Sequence, residues 1–289
     1  MNSVAEIRQH IKTIEDTSKI TRAMYLIASS KMSKAMNMHA MNMRYFERAR
    51  SDIRFILDNT QAGMTNPYYR EHGIKAGYVV IAGDQGLCGG YNADVCKLAL
   101  ETIKGGTRTC KKLFTIGHVA SDFFIRQGME PDTQYQHVIQ DPNLQNVRVI
   151  MSDLRTLFRS KVLDEVYVVY TTQEKVGQLT PRVLRLLPVL RADFEDAKEL
   201  HAPTLDLTYH PSAAYVLESI IPHYLVGLFY SALVQSYASE QYARMSAMDA
   251  ATRSANEMQG KLKLTLNHAR QALITQEISE IISGSPMAE

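Results

Sequence analysis

From Met1 to Ala62 the chain contains neither glycine nor proline. These residues punctuate most chains, so a span without them leaves little for the backbone to form except one long helix. The apolar pattern agrees. Positions 4, 7, 11, 14, 18, 21, 25, 28, 32 and 35 step by three and four without a fault. They hold Val4, Ile7, Ile11, Ile14, Ser18, Thr21, Tyr25, Ala28, Met32 and Ala35, the seam of a coiled coil. A helix over most of this segment would be about 80 Å long at the standard rise per residue, far beyond an ordinary globular helix. Within DTSKITRAMYLIASSKM (16–32) the seam turns polar at Ser18 and Thr21, while Ile20, Met24 and Ile27 put apolar surface on another face. Such a helix is expected to be gripped from more than one side.

The other end of the chain mirrors the first. No glycine or proline occurs from Leu228 to Gln259, and after Gly260 none occurs until Gly284. A second seam reads Met248, Ala251, Ala255, Met258, Leu262, Leu266, Ala269 and Leu273, rich in alanine, so a partner helix can approach closely. Two long terminal helices most simply pair with each other, antiparallel. The boundaries expected are 1–62 for the N-terminal coiled-coil helix and 212–284 for the C-terminal helical region.

The middle is built differently. GYVVIAG (77–83), KLFTIG (112–117) and VYVVYTT (166–172) are short, apolar and β-branched, as strands are. ADVCKLALETI (93–103) and VASDFFIRQG (119–128) between them have helical spacing. Strand, helix, strand, helix predicts a βαβ unit with a parallel sheet. The fold class is therefore α/β: a small central Rossmann-like domain over 74–205, carried by a long antiparallel coiled coil of the two terminal helices.

Few residues suggest chemistry. GDQGLCGGYN (83–92) lies between a strand and a helix, where phosphate loops occur, but its glycines fit neither G-x-G-x-x-G nor a P-loop. A tight turn is the better reading. Cys88 in this loop has no histidine tied to it by spacing, and the three cysteines form neither a disulfide framework nor a metal motif. The histidines show no zinc spacing. No catalytic residue, cofactor or metal is expected. The methionine-rich KMSKAMNMHAMNM (31–43) reads as core or partner contact rather than a soft metal tract.

Charge is more informative. Residues 1–50 hold nine Lys or Arg against four Asp or Glu, a balance of +5, and residues 244–276 hold five against two, a balance of +3. The whole chain carries only +2, so the remainder is acidic. Basic helices with apolar residues off their seam suit a protein partner with acidic, partly apolar walls. The most apolar window, YVLESIIPHYLVGLFYSALV (215–234), contains Glu218, Pro222 and His223 and makes a poor membrane span. The amphipathic start carries Glu6, Glu15 and Asp16, which argue against a transit peptide. Two other readings compete: a nucleotide-binding enzyme with helical arms, which needs the 83–92 loop to hold phosphate, and a static scaffold or nucleic-acid binder using the basic helices.

Three separated stretches carry a family resemblance that spans the chain. IKTIEDTSKITRAMYLIASSKM near the start resembles the opening signature of the gamma subunits of F-type ATP synthases. ASEQYARMSAMDAATRSANE and NHARQALITQEISEIISG resemble that family's closing signature, and IAGDQGLCGGYN its strand-turn-helix motif. The resemblance implies a non-catalytic central rotor stalk, one copy per complex. Its coil would pass through a ring of three alpha and three beta subunits, and its α/β domain would sit at the foot against the epsilon subunit and the c-ring. Ion flow would turn the c-ring, and the shaft would drive the beta sites through ATP synthesis, or run in reverse on hydrolysis. No nucleic acid and no direct membrane span are implied. The chain would be a peripheral protein on the cytoplasmic face of a bacterial plasma membrane.

By the same resemblance, Arg270 and Gln271 would bond a loop of one beta subunit, with Thr275, Gln276 and Glu277 in the same upper set. Met24 and Arg244 would lie where an acidic helical segment of beta bears on the shaft, with Ile20 and Ile27 facing the sleeve. Tyr209 and His210 would belong to the foot. The sequence departs from the family at Asp249, often basic there, at His268, often Lys, and at His210, where an acid is common. No redox insert is evident, so thiol regulation is not expected.

Overall fold

A computed structural model describes residues 4–60, 67–69, 73–175, 177–197 and 208–284. The expected boundaries at residues 62 and 205 lie outside the described residues. In chain order the elements are α1 (Val4–Asn59), β1 (Lys75–Ile81), α2 (Tyr91–Gly105), β2 (Thr109–Ile116), α3 (His118–Arg126), α4 (Leu144–Arg159), β3 (Glu165–Lys175), β4 (Gln178–Leu187) and α5 (Ala213–Gly284). Short 3-10 turns occur at Pro67–Tyr69, Gln136–Ile139 and Arg191–Phe194. The chain divides into two compact units, one formed by residues up to Ala28 with Arg244 onward, the other by Ser29–Ala243.

The first unit is a pair of helices. Thr21 Oγ1 lies 2.7 Å from Thr252 Oγ1, and the Ser18 hydroxyl donates to Asn256 Oδ1 at 3.0 Å. Residue numbers fall on α5 as they rise on α1, so the pairing is antiparallel. Along α1 the expected seam is the protected face: Ile7, Thr21 and Ala28 are buried, and Val4, Ile11, Ile14, Ser18 and Tyr25 are half-buried. Along α5 the seam needs correcting at two positions, Met258 and Leu273. Met258 is 53% exposed, whereas Gln259 is half-buried, as is Thr252. The protected positions Met248, Thr252, Ala255, Gln259, Leu262, Leu266 and Ala269 alternate by four and three, and the expected Ala251 is half-buried beside Thr252. Two polar residues thus stand in the seam, of which Thr252 lies opposite Thr21 in the polar stretch of α1, and Leu273, also assigned to the seam, is exposed.

The second unit is a sandwich of helices on a twisted sheet of order β2-β1-β3-β4. β1 pairs in parallel with β2 and with β3. β4 returns antiparallel along β3. The sequence did not announce β4, because Pro181 and two arginines interrupt its apolar run; as an edge strand it tolerates them. Alternation on β1 feeds two cores. Val79 and Ile81 point to one face, together with Phe114, Ile116, Val166 and Val168. That face is covered by Ile53 and Ile56 of α1, Ile150 and Leu154 of α4, and Leu217, Ile221, Leu225 and Phe229 of α5. Tyr78 and Val80 point to the other face, against Val95 and Ala99 of α2 and Phe124 of α3. An 18-residue stretch of α5 has a mean hydropathy of 1.4, apolar enough to cross a membrane, but more than half of it (56%) is buried within the chain. Its oil is spent on the sheet.

Candidate functional site

Chain order places a topological switch at the sheet's centre. β1 leads through α2 to β2 on one side, and β2 leads through α3 and α4 to β3 on the other. Open α/β sheets bind ligands in the crevice this creates at the carboxyl ends of the strands. Here that crevice borders the glycine loop and the end of β3, and α5 fills it. The Tyr91 hydroxyl donates to the Ser236 carbonyl at 3.0 Å and lies 2.8 Å from Ser236 Oγ. The Thr171 N–H donates to Ser236 Oγ at 3.4 Å, and the Ser239 hydroxyl donates to the Thr171 carbonyl at 3.2 Å. The Thr172 hydroxyl donates to Gln235 Oε1 at 2.9 Å. Ser236 and Ser239 are fully buried, and Tyr91 nearly so. Burial, and then the nearby Glu240, hold the Tyr91 phenol well above its ordinary pKa, so it remains a donor.

The loop's own groups are occupied too. The Gly83 N–H donates to Asn92 Oδ1 at 2.8 Å, and the Asn92 amide donates to the Gln85 carbonyl and to Cys88 Sγ, each at 3.2 Å. Gly83 lets Glu240 pack close: a Cβ there would stand 2.7 Å from Glu240 Oε1, and the carboxylate would have to shift. A phosphate arriving at this loop would find its first amide taken and an acidic side chain already packed against the glycine. The phosphate-cradle reading therefore gives way to a tight turn locked onto α5. Cys88 is buried within it, and burial pushes the Cys96 thiol up to about 12 and the Cys110 thiol upward as well. Among the described residues no group of three or more His, Cys, Asp or Glu is placed to hold a metal.

The residues expected to face partners are mostly open. Ile20 is 61% exposed and Ile27 56%, with Met24 half-buried between them, one stripe of α1 clear of the seam. Arg270, Gln271, Thr275, Gln276 and Glu277 are all exposed on α5. The Thr275 hydroxyl donates to the Gln271 carbonyl, and the Gln276 amide to Glu280, both at 2.9 Å. Arg244 differs from these: it is buried and engaged within the chain. Tyr209 is half-buried and His210 exposed. Asp249 is paired with Arg253 at 2.9 Å, one turn along α5. Sequence reasoning missed the lock formed by Tyr91, Asn92, Thr171, Ser236 and Ser239, because no local pattern links residues so far apart in the chain.

A family model described as ATP synthase matches residues 3–286. The chain is 37% identical to the ATP synthase gamma chain of Ruminiclostridium cellulolyticum, covering 100% of this chain and 99% of the relative. The gamma chain of Caldanaerobacter subterraneus subsp. tengcongensis is also 37% identical, over 97% and 98% of the two chains. The chain belongs to the ATP synthase gamma-chain family. As a gamma chain it is a non-catalytic rotor subunit of the central stalk in a membrane-associated F-type ATP synthase. The fold is shared with solved structures too. A chain of the Tetrahymena thermophila mitochondrial ATP synthase central stalk and c-ring aligns with a TM-score of 0.60 at 22% identity, over 80% of this gamma chain and 99% of that one. A rotor chain of the Euglena gracilis mitochondrial enzyme aligns with a TM-score of 0.60 at 15% identity, over 94% and 98%.

Proposed function

We propose that this gamma chain turns as a single copy inside a sleeve of three alpha and three beta subunits, on the cytoplasmic face of a bacterial plasma membrane. Its foot, including Tyr209 and His210, meets the epsilon subunit and the c-ring. The observation that carries this reading is the apolar stripe of Ile20 and Ile27, more than half exposed on a helix whose seam is already used. Large apolar side chains left open on a basic helix suit a partner surface that slides past them. Met24 lies between them, and Arg270, Gln271, Thr275, Gln276 and Glu277 give the far part of α5 a polar contact set. A shaft that presents a different face to each beta subunit supplies different contact energy at each, and so favours a different state at each site. Turning the shaft steps those states in sequence, which couples ion flow to ATP synthesis and lets hydrolysis run the cycle backwards.

Co-expression with alpha and beta subunits from the same genome tests this. The expected product is one hydrolysing complex with one copy of this chain per three alpha-beta pairs. Failure to assemble, or nucleotide turnover by this chain alone, would overturn it. Met24→Lys, which puts a cation into the stripe, is expected to leave assembly and hydrolysis in place while ATP-driven ion pumping drops several-fold.

A further inference from the structure

The body of Ser29–Ala243 carries a second feature that the rotor reading does not use. Three helices leave a groove of about 540 Å³ between them, within the size range of small-molecule sites. Each wall is one face of its helix. α1 supplies Met38, Met41 and Tyr45, and α5 supplies Val226 and Tyr230 across from them. Leu144, the first residue of α4, closes one side. Gly227 of α5 has no side chain to fill the space, and its carbonyl accepts from the Asn42 amide at 3.1 Å, so this polar pair is already joined. Met41 is 70% exposed, Tyr45 57% and Leu144 43%, a large apolar surface to leave open in one place.

The polar character of the groove is one-sided. Arg148, one turn into α4, and His223 of α5 line it; among the described residues the lining holds no acid, and Asp141, just before α4, is the acid that faces Tyr230 at its edge. The start of α4, capped by the Asn143 side chain on the Asn146 N–H, adds the positive end of a helix dipole beside Arg148. Guanidinium groups match carboxylates with paired hydrogen bonds. Methionine walls bend to follow a flexible chain better than they fit a rigid ring. We propose that this groove binds a free single-chain amphiphile with a carboxylate head, its alkyl tail along Met38, Met41 and Val226 and its head on Arg148.

Calorimetric titration of the full chain with dodecanoate, below its micelle concentration, tests the assignment. One saturable site is expected, with dodecylamine weaker by about tenfold or more because its head repels Arg148. Arg148→Glu is expected to weaken dodecanoate binding by a similar factor, and Met41→Asp, at an exposed position where folding is not at risk, to weaken it as well. Circular dichroism of both variants should match the parent. Vesicles of phosphatidylglycerol separate a membrane lipid from a free ligand: the parent and Arg148→Glu should co-sediment with them equally. Equal affinity for the two head groups, undiminished binding by Arg148→Glu, or no saturable site would overturn the proposal. So would vesicle binding that needs Arg148 without dodecanoate binding. Loss of binding once the chain is assembled with alpha, beta and epsilon would mark the groove as a subunit-covered face and overturn it too.

Discussion

The coil and the α/β body use the same helices for opposite ends. In the body, Ile53 of α1 and Leu217, Ile221, Leu225 and Phe229 of α5 are fully buried against a sheet. In the coil, α1 buries only Ile7, Thr21 and Ala28, and much of the remaining seam is half-open. Polar groups differ in degree. In the body Ser236, Ser239 and Thr171 are sealed; in the coil Thr21 is buried, but Ser18 and Asn256 stand at the rim. The body is made to hold its own shape. The coil spends little of its surface on itself and leaves the rest open.

The largest effect expected from this contrast is in the cores. Phe229→Ala should cost the body about 3–5 kcal/mol, whereas Ile14→Ala in the half-open seam should cost about 1–2 kcal/mol. Urea unfolding of the full chain, followed by probes in each unit, reads both; equal losses would break the comparison. Next comes the loop. Gly83→Ala should destabilise by about 1–3 kcal/mol through overpacking against Glu240, and a double-mutant cycle with Glu240→Ala should show the two changes coupled.

The hydroxyl groups sharpen the comparison. Ser236→Ala removes a partner from Tyr91 and from the Thr171 N–H inside the body, at a cost of about 1–3 kcal/mol. Replacing Thr21 and Thr252 together by Val, which removes both hydroxyls while keeping shape, should change stability by less than about 1 kcal/mol. Thermal melts of the two variants decide between these figures.

The smallest expected effect is one of pH. His39 sits half-buried on α1, with Nε2 2.7 Å from the Gln235 amide nitrogen and 3.0 Å from Ser231 Oγ. Burial holds its pKa below the ordinary value of 6.5. Its contribution to stability is therefore fully present above that value and is lost as pH falls through the lower, folded one. Unfolding midpoints at about pH 7.5 and about pH 5.5 should differ less in His39→Gln than in the parent. An unchanged difference would remove His39 from the account.

Much of this was legible in the sequence because it rests on short-range period. All ten seam positions named on α1 are buried or half-buried, since a helix without glycine or proline has only its apolar spacing to decide which face it hides. β1, β2 and β3 announced themselves by β-branched runs. Several features did not, the helix α4 and the exposure of Leu273 among them. Met258 was misplaced because Met and Gln are both long and helix-compatible, and only the partner helix chooses between Met258 and Gln259. β4 was hidden by Pro181. The lock on the glycine loop joins Tyr91 to Ser236 across the chain, and serine has no spacing that points at a tyrosine so far away. The same blindness covers the groove beside α4, whose walls come from three helices.

The threonine rung of the coil has a further consequence. Thr21 Oγ1 reaches the Ser18 carbonyl at 3.1 Å, Thr252 Oγ1 reaches the Met248 carbonyl at 2.8 Å, and the two oxygens are 2.7 Å from each other. Three contacts share two hydrogens. Either threonine can therefore donate across the gap while the other donates to its own backbone, and the bridge survives in both arrangements. A leucine pair meets by shape alone; this pair meets through a hydrogen that either side can supply. The coil thus carries, at its polar rung, a bridge whose donor is interchangeable.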